Sequence, residues 1–189
     1  MSTKPASTRD RLTLNAVKLF RQKGYHGVGL AEILAESDAP KGSLYHHFPN
    51  GKADLAVAAA TLASDMLLQT IDDSFANAPT FREGGTNLCF KLAKFFDISG
   101  TWDGCPVSGI LFDGPENEVF RDHANSIFTG WLNRVAEHAR RLNEPRPDEK
   151  AEMLLITIQG AWTLARARRD SDVLRALPSK FLGPCESEA

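Results

Sequence analysis

Apolar residues recur along most of the chain at three- and four-residue spacing, and no stretch alternates as a strand would. Leu12, Ala16, Leu19 and Phe20 make the first such face. Ser7 followed three residues later by Asp10 forms a helix-start signal before it, and Gly24 ends it. Tyr25 to Gly29 is a connector. A short helix then carries Leu30, Ile33 and Leu34, and Ser37-Asp38-Ala39 is a turn. Pro40 fits the first turn of a third helix, whose inward pair is Leu44 and Phe48 and which Pro49-Asn50-Gly51 stops. The pattern then predicts helices over 52–78 and 81–98, and a loop over 99–103. A short helix opens at Cys105-Pro106 and ends near Asp113. Further helices follow over 116–142, from a cap at Asp148 to Arg169, and from Asp170 until Pro178 breaks the last. The expected fold is all-α, with about nine helices. A three-helix module occupies 1–52, and a larger helical bundle occupies 53–189.

Charge sharpens this division. The chain of 189 residues carries a net charge of −2. Residues 1–52 hold eight Lys/Arg against four acids, a net of +4, while the remainder is at −6. A basic head on an acidic body suits a nucleic-acid-binding module joined to a separate domain. Apolar runs fall well short of the roughly 20 residues that span a bilayer, and the polar first ten residues lack a signal-peptide core. The expectation is a cytoplasmic protein without membrane contact. Cys89, Cys105 and Cys185 lie far apart and form no CxxC pair, so neither a zinc ribbon nor a thioredoxin-type site is indicated.

A short helix, a tight turn and a second short helix over 30–48 form the unit whose second helix enters the major groove of DNA. On its outward side stand Lys41, Gly42, Ser43, His46 and His47. Lys41 can donate to guanine O6 and N7, and Ser43 can pair with donor or acceptor edges. Gly42 lets the backbone approach closely. Tyr45, His46 and Lys52 carry groups suited to phosphate oxygens. An ordinary helical hairpin with a polar face explains the same pattern, and periodicity alone leaves both readings open.

The string Ala39-Pro40-Lys41-Gly42-Ser43-Leu44-Tyr45-His46-His47-Phe48-Pro49-Asn50-Gly51-Lys52 resembles the helix-turn-helix signature of TetR-type repressors. The Ala16-Leu19-Phe20-Gly24-Tyr25 spacing is similar to that family's first helix. Pro-Asn-Gly-Lys after Phe48, with the later Gly104-Cys105-Pro106-Val107, resembles the LmrA/YxaF-type branch. The resemblance implies a homodimer that binds a palindromic double-stranded operator and leaves it when a small molecule occupies the C-terminal domain. Gly29 and Pro40 join the expected DNA-contacting set. Two positions depart from the family pattern. Gly29 stands where a Thr or Ser commonly caps the second helix, and Asp38 stands where the turn usually has Gly. Asp tolerates left-handed backbone better than most residues. Gly at a cap forfeits only a few tenths of a kcal/mol.

In the larger domain, Phe90, Phe95, Trp102, Phe112, Phe128 and Trp131 are either core or the lining of an apolar pocket. The resembling branch implies an aromatic, uncharged effector. Residues 148–169 are apolar on more than one side, through Met153, Leu154, Leu155, Ile156, Ile158, Trp162 and Leu164. Such a helix needs cover from two directions, in a monomer core or across a dimer. The resemblance favours the dimer, with Val173, Leu174, Leu177 and Phe181 completing an intersubunit bundle. The competing readings are a thiol-based redox sensor through Cys105 and Cys89, and a small enzyme pairing Cys105 with His123. No oxyanion motif or metal-ligand spacing supports catalysis, and no cofactor or metal is expected.

Overall fold

The computed structural model describes residues 7–99, 105–112 and 118–181. Among these, every regular element is a helix: α1 (Thr8–Lys23), α2 (Leu30–Glu36), α3 (Lys41–His47), α4 (Lys52–Phe75), α5 (Phe81–Ser99), α6 (Pro106–Leu111), α7 (Glu118–Arg141), α8 (Pro147–Arg168), α9 (Asp172–Arg175) and α10 (Leu177–Phe181). The chain forms two compact units. The first comprises 1–65 and 105–127, and the second comprises 66–104 and 128–189. Helices α4 and α7 each contribute to both.

The first unit closes around Leu12, Phe20, Ile33, Leu44 and Leu55, all fully buried. Val107, Ile110 and Phe120 from α6 and α7 are also buried. Burying one such side chain contributes about 1.5–3 kcal/mol, so these few residues supply most of what orders three short helices. The second unit is built on Ile71, Phe75, Phe96, Trp131, Leu154 and Leu174. By length and composition α4 is apolar enough to cross a membrane. Its Leu55, Ala56, Ala59, Ala60, Ile71 and Phe75 are nonetheless buried in the fold, as in a core helix.

Three helices end on a non-glycine residue in left-handed backbone: Asp38 after α2 (φ 45°), Asn143 after α7 (φ 58°) and Arg169 after α8 (φ 52°). Each is followed by the same backbone bond, donated five residues back: Ala39 N–H to Leu34 O (3.1 Å), Glu144 N–H to Ala139 O (3.0 Å) and Asp170 N–H to Ala165 O (3.1 Å). These bonds satisfy carbonyls that a helix end otherwise leaves unpaired.

Several element ends differ from the sequence expectation. Asp148 does not cap α8. Pro147 takes the first helical position, where its fixed φ is already suitable, so Arg146 becomes the cap at φ 55° without a side-chain bond. Asp148 sits in the first turn, where its charge favours the helix dipole, and it pairs with Arg140. Pro178 does not break the last helix. It lies at the second position of α10, where a missing N–H costs nothing, so the segment is two short helices. Ser99, expected to open the loop over 99–103, instead ends α5, its hydroxyl donating to Phe96 O (3.1 Å); the rest of that loop and the stop at Asp113-Gly114-Pro115 lie outside the described residues.

Candidate nucleic-acid interface

The interface begins with α1. Ser7 caps it: its hydroxyl accepts from Asp10 N–H (3.1 Å), and the Asp10 carboxylate accepts from Ser7 N–H (3.2 Å). At the far end Gly24 adopts φ 70° and ψ 170°, a conformation essentially reserved for glycine. The polar side of α1 then does work that the spacing did not reveal. Arg11 donates from Nε to Ser37 O (3.1 Å) and from Nη2 to Asp38 O (3.3 Å). Asn15 donates from Nδ2 to Glu36 O (3.1 Å) and to the Ser37 hydroxyl (3.2 Å). Ser37 is buried. Two side chains of α1 thus hold the last carbonyls of α2 and the turn that aims α3. Lys23–Glu32 and Lys18–Glu36 ion pairs flank them. The signal that could have found Arg11 and Asn15 is their i, i+4 placement, one turn apart on the side facing α2.

Helix α3 follows directly. Pro40 is its cap rather than part of its first turn, with extended backbone (φ −70°, ψ 148°). Leu44 is fully buried, and Phe48 nearly so. Lys41, Gly42, Tyr45 and His46 are exposed, and Ser43 and His47 are half-buried. Of the expected contact residues on α3, Gly42, Ser43, His46 and His47 fall on the side away from Leu44 and Phe48, and Lys41 and Tyr45 flank it. A Cβ added at Gly42 would meet nothing within 4 Å, so this side of α3 is open to a partner surface. His46 and His47 rings lie edge to face at 4.9 Å. Gly29 caps α2 without a side-chain bond, as its lack of a side chain dictates. Arg9, absent from the expected set, places its guanidinium 5.7 Å from the Phe48 ring centroid, beside the end of α3.

Lys52 opens α4, half-buried, with its ammonium 4.3 Å from the centroid of the Tyr25 ring. Desolvation lowers its pKa from the ordinary lysine value, and the same cause raises that of Tyr25.

The aromatic residues expected to bind an effector differ in exposure. Phe90, Phe95 and Phe112 are exposed, at 48%, 37% and 53%. Trp131 is fully buried, and half-buried Phe128 packs against it edge to face at 4.8 Å. Phe95 stacks on Trp162 at 6.1 Å. Trp102 lies outside the described residues. Cys89 is buried, and burial pushes its thiol up to about 12, so it holds almost no thiolate at neutral pH. His123 Nε2 is within 3.0 Å of the Thr61 hydroxyl. Among the described residues no group of three or more His, Cys, Asp or Glu could hold a metal.

Comparison with known proteins places this geometry. Residues 12–59 match the family model for bacterial regulatory proteins of the tetR family. Residues 83–179 match the C-terminal domain of LmrA/YxaF-like transcriptional regulators. The chain is 34% identical over 179 residues to the HTH-type transcriptional regulator YxaF of Bacillus subtilis, covering 91% of this chain and 92% of that one. It is 29% identical over 175 residues to the HTH-type transcriptional regulator LmrA of the same organism, covering 91% and 93%. Among solved structures, the regulatory protein TetR from Rhodobacter sphaeroides superposes with a TM-score of 0.80 at 24% identity, over 93% of this chain and 97% of that one. A cysteine mutant of the regulator CifR, solved with 26-bp operator DNA, gives a TM-score of 0.79 at 22% identity, over 95% and 97%. With a helix-turn-helix at one end and an LmrA/YxaF-like helical domain at the other, the chain belongs to the TetR family of DNA-binding transcriptional regulators.

Proposed function

We propose that the protein is a cytoplasmic repressor, not an enzyme, that binds an inverted-repeat operator as a homodimer and releases it when an apolar aromatic effector binds the second unit. The observation that carries this reading is the accessible side of α3, with Lys41, Ser43, Tyr45 and His46 carried on a turn that Arg11 and Asn15 hold. Lys41 and Ser43 read base edges. Tyr45 and His46 hold phosphates, with Gly29 and Pro40 close to the backbone. CifR, a structural neighbour, has been solved on its operator, which supports the DNA partner. The dimer is supported by the outer stripe of α8, where Met153, Ile156 and Leu164 are 52%, 61% and 47% exposed. Effector binding uses the aromatics of the second unit, with Phe128 and Trp131 the most enclosed pair.

The test is selection of bound duplexes from a random pool, with the oligomeric state measured at the same protein concentration. Two-fold symmetric sites with half-sites about one helical turn, roughly 34–36 Å, apart (or a multiple of it) are expected. Asymmetric sites or a micromolar monomer would count against the reading. Compounds are then screened for operator release, where a coupling of about 1–3 kcal/mol corresponds to roughly 5- to 150-fold weaker DNA binding. In the redox alternative through Cys105 and Cys89, Cys89 is disfavoured by its burial and raised pKa, whereas Cys105 is a free, half-buried thiol at the cap of α6.

A further inference from the structure

The first unit holds an open groove of about 760 Å³, walled by α4, α1 and the end of α3. That is the size of a site for a drug-like molecule. Its α4 wall is one stripe at helical spacing, from Asp54 through Val57, Thr61 and Leu62 to Asp65. Leu14 of α1 and Val119 of α7 line it too, yet remain 51% and 72% exposed. His47 and Phe48, the last residue of α3 and its cap, close the set.

The lining has a dominant sign of charge. Three carboxylates, Asp10, Asp54 and Asp65, stand against the single guanidinium of Arg9. Hydrogen bonds from Ser7 hold the Asp10 carboxyl below its usual pKa. The Asp54 oxygens accept from the Asn50 N–H and side-chain amide (2.9 and 3.1 Å). Asp65 is exposed and has no hydrogen-bond or ion-pair partner among the described residues. The Arg9 guanidinium already lies 5.7 Å from the centroid of the Phe48 ring. The hydroxyls are used within their own helices: Thr13 donates to Arg9 O and Thr61 to Val57 O, both at 2.9 Å. A neutral ligand rich in hydrogen-bonding groups finds little to pair with here.

The geometry points to a ligand site in the first unit for an apolar organic cation of the quaternary ammonium or phosphonium class. This goes beyond the repressor reading, which puts an uncharged effector in the second unit. The carboxylates favour a cation over an anion of the same shape. An ion pair with an exposed carboxylate such as Asp65 adds little by itself, so apolar contact has to carry most of the binding. Leu14, Val57, Leu62 and Val119 supply that contact. A compact ammonium loses strong hydration on entry, whereas a cation with its charge spread over an apolar body loses far less.

The experiment titrates tetraphenylphosphonium into the full chain with isotope-labelled leucine and valine methyls, followed by NMR. Tetraphenylborate, an anion of the same shape, is the control. The cation is expected to give saturable shifts at the methyls of Leu14, Val57, Leu62 and Val119, and the anion none. No saturable shift at these methyls, or equal shifts from both ions, overturns the proposal. Asp65→Asn is expected to weaken the cation about 2- to 5-fold, the range of an exposed ion pair. Val119→Lys sets a like charge against the ligand and is expected to weaken it further. Both positions are exposed, so the remaining methyl spectrum is expected to match wild type. Unchanged affinity in both variants overturns the proposal. Shifts at the same methyls that grow with protein concentration alone would assign the groove to a second copy of the chain and overturn it. Cation-induced shifts confined to the second unit would overturn it too, while leaving the repressor reading standing.

Discussion

At the scale of single residues, Asp38 shows how a departure from the family pattern is tolerated. The turn needs left-handed backbone, and Asp38 supplies it at φ 45°. A left-handed L-residue costs roughly 1–2 kcal/mol, less for Asp than for most. Asp38→Gly is therefore expected to raise stability by about 0.5–1 kcal/mol in urea unfolding, while Asp38→Val lowers it by about 1–2 kcal/mol. If both variants match wild type, the turn does not hold this conformation in solution. Lys41 tests the other side of the module. It is exposed at the first position of α3. Lys41→Ala is expected to cost about 1–3 kcal/mol of operator affinity and to relax preference at one base position. Equal losses on operator and random DNA would show that it reads no base. The inward pair of α3 was legible, because helical spacing assigns Leu44 and Phe48 to the core, where both are buried. The i, i+4 spacing of Arg11 and Asn15 puts them on one side of α1 but does not show what they hold, because the carbonyls that accept from them lie 21 to 27 residues away.

At the scale of elements, the packing of α4 against α5 depends on one missing side chain. A Cβ on Gly84 would lie 2.1 Å from Cδ1 and 2.3 Å from Cε1 of Phe75, a ring with no exposed surface. The ring has little room to yield. The plane of His138 stacks on it at 5.0 Å and 13°, and Phe81 packs on it at 5.4 Å. His138 Nε2 is itself held at 2.9 Å from Asp72, which also pairs with Arg134. Gly84→Ala is expected to destabilise the protein by about 1–3 kcal/mol despite alanine's better helix propensity, because overpacking outweighs a propensity gain of about 1 kcal/mol. Chemical denaturation measures this, and a stabilised Gly84→Ala would mean that α4 and α5 can separate at no cost. Helix existence was readable from spacing throughout. The ends of α8, α9 and α10 were not, because they turn on which residue a proline leaves outside the helix. Nothing in the spacing singles out Gly84, since the clash it avoids is with a residue of another helix.

At the scale of the whole molecule, α8 carries two apolar stripes with different fates. Leu154, Ile158, Ala161 and Ala165 are buried within the chain, whereas Met153, Ile156 and Leu164 remain exposed. The sequence shows that both stripes exist but not which one a partner covers, since that depends on where the rest of the fold lies. The same limit applies to the aromatics. Phe90 and Trp131 look alike in a list of apolar residues, yet one is 48% exposed and the other 1%. Exposed apolar side chains at positions 153, 156 and 164 fall on one side of the helix, about 100° per residue apart in phase. A Cβ added at Gly160, between them, would meet nothing within 4 Å, so a facing helix could approach closely there. A second copy of the same helix, crossing about a two-fold axis, would present the same stripe in return. Ile156→Glu is expected to place a carboxylate at the centre of that contact, where desolvation makes it costly. The outcome should be a folded monomer, with helical content by circular dichroism unchanged because residue 156 is exposed in the single chain. Sedimentation measures the dissociation. Operator affinity should fall by about 10²- to 10⁴-fold, because the second half-site is no longer tethered to the first, while affinity for a single half-site stays the same. An Ile156→Glu protein that remains dimeric and binds the full operator normally would show that α8 faces solvent, and that the two recognition helices are joined by another surface.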